Sequence, residues 1–227
     1  MNEVAGRKLK KKILELLNQE DFKKSLDAIC KLPERQVVNS LFSFFYNSNE
    51  LIKWRAITTM GVVATNLAET EIEYARVIMR RLLWNLNDES GGIGWGSPEA
   101  MGEIMARSHR LAEGYSKLLV SYIRPGENFL EHEALQRGVL WGLGRLAHAR
   151  SQFVKDAVPF LVPFLKSKDA YHRGFAAWAI SSYHEESIKP LLLELINDES
   201  KIEIFLDMEL VECTVGQLAG KSLSKLS

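Results

Sequence analysis

Along almost the whole chain, apolar residues recur at three- and four-residue steps, the spacing of an amphipathic helix, while the two-residue alternation of a strand is scarce. From Lys8 to Leu17 the stripe is Leu9, Ile13, Leu16 and Leu17, with Lys8, Lys11 and Lys12 on the opposite face. Asp21 reads as the cap of a second helix reaching about Lys31, with Phe22, Leu26 and Ile29 inward. Pro33 opens a third that runs through Val37, Val38, Leu41, Phe42 and Phe45. Glu50 to Leu67 predicts a fourth and Glu71 to Leu86 a fifth.

An interruption follows, NDESGGIGWGSPEAMGEI, in which Ser97 and Pro98 read as the cap and first residue of a helix to about Arg107. His109 to Ile123 continues helical, and Arg124-Pro125-Gly126-Glu127 is a clear break. Further helices are predicted over 130–148, 152–166, 169–183 and 186–196. The tail differs. Ile202, Ile204 and Leu206 alternate to one side, so a hairpin turning at Asp207-Met208, before a last helix from Val215 to Leu226, competes with an unbroken helix; Asp-Met is a weak turn dipeptide.

Four of the predicted helices align: WRAITTMGVV from Trp54, GWGSPEAMGEI from Gly94, QRGVLWGLGRL from Gln136 and HRGFAAWAISS from His172. Their second residues, Arg55, Trp95, Arg137 and Arg173, are spaced by 40, 42 and 36 residues, the period of two-helix arrays. Small residues crowd these segments, among them Gly61, Ala100, Gly102, Gly138, Gly142, Gly144 and Gly174. Each helical glycine costs ~1 kcal/mol against alanine, so close packing is the expected compensation. The run QRGVLWGLGRL, and more weakly the other three, resembles the second helix of HEAT-like repeats of the bilin-lyase type. The Trp-Gly-Ser-Pro-Glu-Ala-Met-Gly-Glu-Ile run looks like a feature of a bacterial family of HEAT-like proteins. The resemblance implies scaffolding or binding more often than catalysis.

The fold class expected is all-α, a right-handed α-solenoid of about five HEAT-like helix pairs, the tail hairpin being one of its two readings. The chain reads as a single repeat domain over 1–227, with N-terminal helices in 1–32, repeats in 33–200 and a C-terminal cap in 201–227.

Composition narrows function modestly. With 29 basic and 29 acidic residues the formal charge is zero, which argues against a dedicated nucleic-acid binder. No apolar run approaches the ~18 residues of a membrane span, and no signal peptide is visible, so a cytoplasmic protein is expected. Cys30 and Cys213 have no metal or redox spacing and read as free thiols.

In such arrays the second helices line the concave, binding side, and their exposed residues are the candidates. The first place is segment 88–103, with Asp88, Glu89, Gly91, Gly92, Gly94, Trp95, Gly96, Glu99 and Glu103. Its glycines precede a helix N-terminus that could hold an anion, but Glu99 in the first turn competes and no Lys follows, so this is not a phosphate-binding Walker loop. Glu99 and Glu103 lie one turn apart and could serve a metal or acid–base chemistry, although Arg107 four residues on offers Glu103 a helix salt bridge. His132-Glu133 and His184-Glu185 resemble the iron-binding pairs of HEAT-like hydroxylases only in composition, because neither directly precedes a small-residue run. Of Trp54, Trp84, Trp95, Trp141 and Trp178, most should be core, and Trp95 is the least core-like. The function expected is a non-enzymatic module holding a protein or peptide through Trp95, Glu99, Glu103, Arg137, Trp141 and Arg173, with no metal, no cofactor and no catalytic residue. The alternative is an enzyme or ligand-binding protein using 88–103, on a small molecule or, as in HEAT-like DNA glycosylases, on nucleic acid.

Overall fold

The helices begin where short polar residues can satisfy their first N–H groups. In the computed structural model, which describes residues 3–87, 94–183 and 186–225, Asp21 accepts from the Lys24 N–H at the start of α2 (Phe22–Cys30), after α1 (Glu3–Leu17). Asn49 accepts from the Ile52 N–H and starts α4 (Glu50–Thr70), behind α3 (Glu34–Phe44). Ser108 is extended, ends α6 (Ser97–Arg107) and caps α7 (His109–Ser121) through the Leu111 N–H. Asp169 caps α10 (Ala170–Ile180) through the Tyr171 and His172 N–H groups.

At α6, which follows α5 (Ile72–Asn87), the capping residue is Gly96 and not Ser97. Gly96 takes φ 73°, and a Cβ there would stand 2.9 Å from the Phe45 ring, so only glycine fits. Asp88, Glu89, Gly91 and Gly92 lie outside the described residues, as do His184 and Glu185.

The helix expected over 130–148 is α8 (Glu133–Arg150), capped by His132. That expected over 152–166 breaks into two 3-10 turns, Ser151–Phe153 and Lys155–Ala157, and a short α9 (Val158–Leu165). The cause is Pro159 and Pro163, which cannot donate to the preceding turns. Likewise 186–196 opens on a 3-10 turn, Glu186–Ile188, before α11 (Lys189–Leu195), which carries Pro190.

The tail is a hairpin, β1 (Lys201–Leu206) paired antiparallel with β2 (Glu209–Thr214), then α12 (Val215–Lys225). Leu206 faces Glu209, leaving a two-residue loop in which Asp207 and Met208 have φ 50° and 70°, the backbone twist that joins strands tightly.

Helices α2, α4, α6, α8, α10 and α12 stack successively as an inner row, each backed by its sequence neighbour in an outer row. One continuous apolar core runs between the rows from Ile13 to Ala219. The closest inner contact joins α6 to α8, where a Cβ on Gly102 would lie 2.4 Å from the Gly142 Cα. The other groove-side glycines admit side chains, not backbones. Their missing Cβ atoms leave room for Glu103 at Gly61, Glu99 at Gly138, Trp178 at Gly144 and Ile202 at Gly174.

The repeat anchors tie neighbouring units. Arg137 reaches Asp169 of the next turn, and Arg173 reaches Asp198, Ser200 and the carbonyls of Ser167 and Lys168. Arg55 donates to the carbonyls of Leu17 and Gln19.

Two alanine substitutions should therefore act with opposite sign. Gly102→Ala gains ~1 kcal/mol of helix propensity but overpacks the α6–α8 contact, and a net destabilisation of about 1–3 kcal/mol is expected in urea unfolding. Gly114→Ala, in α7 with nothing near its missing Cβ, should stabilise by up to ~1 kcal/mol.

Candidate functional site

Four successive inner helices, α4, α6, α8 and α10, each turn one stripe toward a common groove. The stripe is Glu50, Lys53, Trp54 and Thr58 on α4, and Glu99, Glu103 and Arg107 on α6. On α8 it is Ala134, Arg137, Gly138, Trp141, Arg145 and His148, and on α10 Tyr171, Phe175 and Trp178. All sit at helical three- and four-residue steps.

The hairpin lies across this groove. Its Phe205 ring stacks on Trp54 with centroids 5.1 Å apart and planes within 5°. Trp54 meets Trp141 at 4.5 Å, Trp141 meets Trp178 at 6.1 Å, and Trp178 stacks with His148 at 4.9 Å. The Trp141 Nε1–H donates to the Phe205 carbonyl at 3.1 Å. The hairpin thus divides the groove into two cavities that share Trp141 as a wall.

The first cavity, about 450 Å³, lies between α4, α6, α8, α10 and the hairpin tip, with Glu103, Arg107, Arg145, His148, Asp207, Met208 and Lys225 on its walls. Glu103 is buried and bonded by the Nε groups of Arg107 and Arg145, each at 2.5 Å. The helix salt bridge to Arg107 is present as expected, and Arg145 adds a tie from α6 to α8. Burial pushes the His148 imidazole pKa down, helped by Lys225, and its Nε2 lies 3.1 Å from the Trp178 carbonyl. Cationic side chains outnumber acidic ones here.

The second cavity, about 380 Å³, is aromatic and acidic: Trp54, Trp95, Trp141, Tyr171 and Phe175, with Glu50, Glu99 and Glu203, and with Lys53 and Arg137. Both cations are already engaged. Lys53 pairs with Glu50 at 2.7 Å, and Arg137 pairs with Asp169 at 2.5 Å with its guanidinium over the Tyr171 ring. Glu99 is only 8% exposed, and its Oε2 has no hydrogen-bond partner. Burial holds its pKa above the ordinary carboxyl range, against the pull of nearby Lys53.

Of the sequence candidates, Trp95, Glu99, Arg137 and Trp141 line the second cavity, while Glu103 and again Trp141 line the first. They were expected to be exposed, yet Glu99, Glu103 and Trp141 are buried, because α8 and the hairpin cover them. Arg173 lines neither cavity and serves the link to Asp198. The reading of Glu99 and Glu103 as a carboxylate pair gives way to separation: they face different cavities. No group of three or more metal-ligating side chains occurs among the described residues. Both cysteines are free. Trp84, not Trp95, is the most exposed of the five tryptophans, at 70% on α5. Sequence reasoning missed Lys53, Arg145, Tyr171, Phe175 and the hairpin's Phe205. Only Arg145 shares the stripe spacing of a residue already chosen, four positions after Trp141; Lys53, Tyr171 and Phe175 lie off the positions chosen on their helices.

Residues 133–183, covering α8 to α10, match the HEAT-like repeat family model. An uncharacterized protein of the archaeon Archaeoglobus fulgidus is 26% identical over 185 residues, covering 79% of this chain and 92% of that protein. That relative is archaeal, where the resemblance in the sequence pointed to bacteria. An engineered protein of known structure superposes with TM-score 0.55 at 15% identity, covering 100% of this chain and 97% of its own. A designed armadillo repeat protein in complex with a (KR)4 peptide gives 0.54 at 16%, covering 95% and 98%. Computationally designed armadillo repeat proteins for modular peptide recognition give 0.53 at 15%, with the same coverage. The chain is therefore a repeat-built α-solenoid in which residues 133–183 match a HEAT-like repeat. Among the described residues no helix is long and apolar enough to cross a membrane.

Glu99 yields a pH test. A carboxyl whose folded pKa exceeds its unfolded value of ~4.3 keeps its proton longer in the native chain, so its contribution to stability declines as pH rises through that window. Glu99→Gln cannot ionise. Its stability relative to the natural chain should climb as pH rises above the unfolded value and level off beyond the folded one, measured by urea unfolding at a series of pH values. A flat difference would show that Glu99 is not desolvated.

Proposed function

We propose that this chain is a non-enzymatic interaction module that holds a protein or peptide segment in the groove of its inner helices, at the two cavities flanking the hairpin. The observation that carries this reading is the character of the groove stripe. Four successive inner helices turn aromatic and charged side chains, not plain aliphatic ones, into open cavities of opposite charge balance. Rigid aromatic anchors beside charges are what extended segments are read by. A solved protein of similar fold holds a peptide of alternating Lys and Arg, which supports a peptide as the class of ligand. Trp95, Glu99, Arg137 and Trp141 would make one half of the contact and Glu103 the edge of the other. Arg173 acts through the inter-repeat tie. Nucleic acid is disfavoured, because the second cavity carries unpaired acidic groups that would repel phosphates.

One observation keeps a second reading alive. Glu99, a carboxyl whose pKa burial raises in a cleft, is the kind of group that acid–base catalysis uses, so a small-molecule or enzymatic site of the 88–103 segment would centre there.

Selection from a displayed random-peptide library separates the two. The natural chain should enrich a shared motif. Ala134→Trp, which fills the second cavity from a half-buried position, should abolish enrichment, and Val77→Trp on the exposed face of α5 should leave it unchanged. Failure to enrich any motif, or equal enrichment with Ala134→Trp, overturns the module reading.

A further inference from the structure

Resting on that reading, we infer that the second cavity is a cage for an alkylammonium group, the side-chain cation of a lysine in the bound segment, with the Glu99 carboxyl as its anchoring acceptor and the rings of Trp54, Trp95 and Tyr171 around it.

The charge balance comes first. Five charged side chains line the cavity, Glu50, Glu99, Glu203, Lys53 and Arg137. The two cations are neutralised, Lys53 by Glu50 and Arg137 by Asp169, which stands just outside. Glu203 is exposed on β1 and forms no ion pair with the described residues; Glu99 is buried with one oxygen unbonded. The cavity therefore holds excess acceptor capacity and no spare cation. A buried oxygen without a partner costs free energy, and a ligand N–H donor would recover it.

The aromatic walls select the kind of cation. Ring faces attract an ammonium by their quadrupole, and carboxylates beside aromatic rings are the usual walls of ammonium sites. The cavity already accommodates one: the Lys53 Nζ lies 5.7 Å from the Trp54 ring centroid. A single unbonded oxygen suits a compact ammonium better than a guanidinium, whose planar fork needs two parallel acceptors. At about 380 Å³ the cavity is at the small end of ligand sites, room for one side chain and not for a folded partner.

The same ammonium could come from a peptide lysine or from a free amine. Calorimetric titration of the full chain with acetyl-Ala-Ala-Lys-Ala-Ala-amide, its Nε-acetyl counterpart and n-butylammonium distinguishes them. The lysine peptide should bind, the acetylated peptide should be at least about tenfold weaker, and n-butylammonium should compete at higher concentration. Glu99→Gln should weaken the lysine peptide about tenfold. Glu203→Gln, an exposed change that cannot disturb the core, should weaken it two- to threefold. Binding of the acetylated peptide as tight as that of the lysine peptide overturns the cage, as does unchanged binding in both variants or no binding of either ammonium probe at millimolar concentration. Glu99-dependent binding of n-butylammonium without any peptide binding upholds the cage and overturns the peptide reading. A motif enriched from the library without lysine, with the probes silent, does the reverse.

Discussion

The approach of Gly102 to Gly142 sets the geometry of everything on the groove side. With no side chain between them, α6 and α8 come close enough for each to support what the other presents. Glu99 rests against Gly138, and Glu103 reaches Arg145 across the same seam. A bulkier pair at that seam would hold α8 away from α6, open Glu99 to water and break the Glu103 tie. The cavities and their polarity are thus consequences of a backbone contact, not of the loops around them.

That contact also explains how charged groups come to be buried in an array whose core is otherwise apolar. Glycines at 61, 138, 144 and 174 each vacate the volume of a Cβ, and each vacancy is filled by a side chain from a neighbouring element. Two of those fillers are carboxylates with unlike fates. Glu103 receives two arginine N–H donors, which offsets its desolvation. Glu99 receives no such donor at Oε2, and its burial is offset only in part, by its own backbone N–H and nearby Lys53. Stability alone would favour an apolar residue at 99.

The repeat and the inner row were legible in the sequence because both follow from periodicity: four small-residue helices at near-equal steps need only a chain that stacks on itself. The helix faces carrying Glu99, Glu103, Arg137 and Trp141 were legible for the same reason. What could not be read is which stripe members are covered, since exposure of Trp141 depends on a hairpin contributed from more than fifty residues along the chain. The hairpin itself was signalled by alternation alone, for Asp207-Met208 supplies two left-handed residues without the Asn or Gly that usually advertises them. The glycines were read as close-packing devices, and only Gly102 and Gly142 act so between backbones. Proline explains the misjudged outer helix, for Pro159 and Pro163 permit an apolar stripe while delaying the helix that carries it.

Repeat arrays are ordinarily quasi-one-dimensional, each unit touching only its neighbours, so their ends open independently. Here β1 leaves the C-terminal end of the array, crosses α10 with Ile202 in the notch at Gly174, receives the Trp141 indole N–H of α8, and stacks Phe205 on Trp54 of α4. A contact that spans the three inner helices α6, α8 and α10 joins the last pair of helices to one near the beginning. This strap ties the two ends of the groove, and the rings it touches are among those that wall both cavities. A ligand in either cavity therefore touches side chains whose positions depend on both ends of the chain. Binding at the proposed site would then be linked to opening of the terminal repeats, because lifting the hairpin removes a wall from each cavity at once.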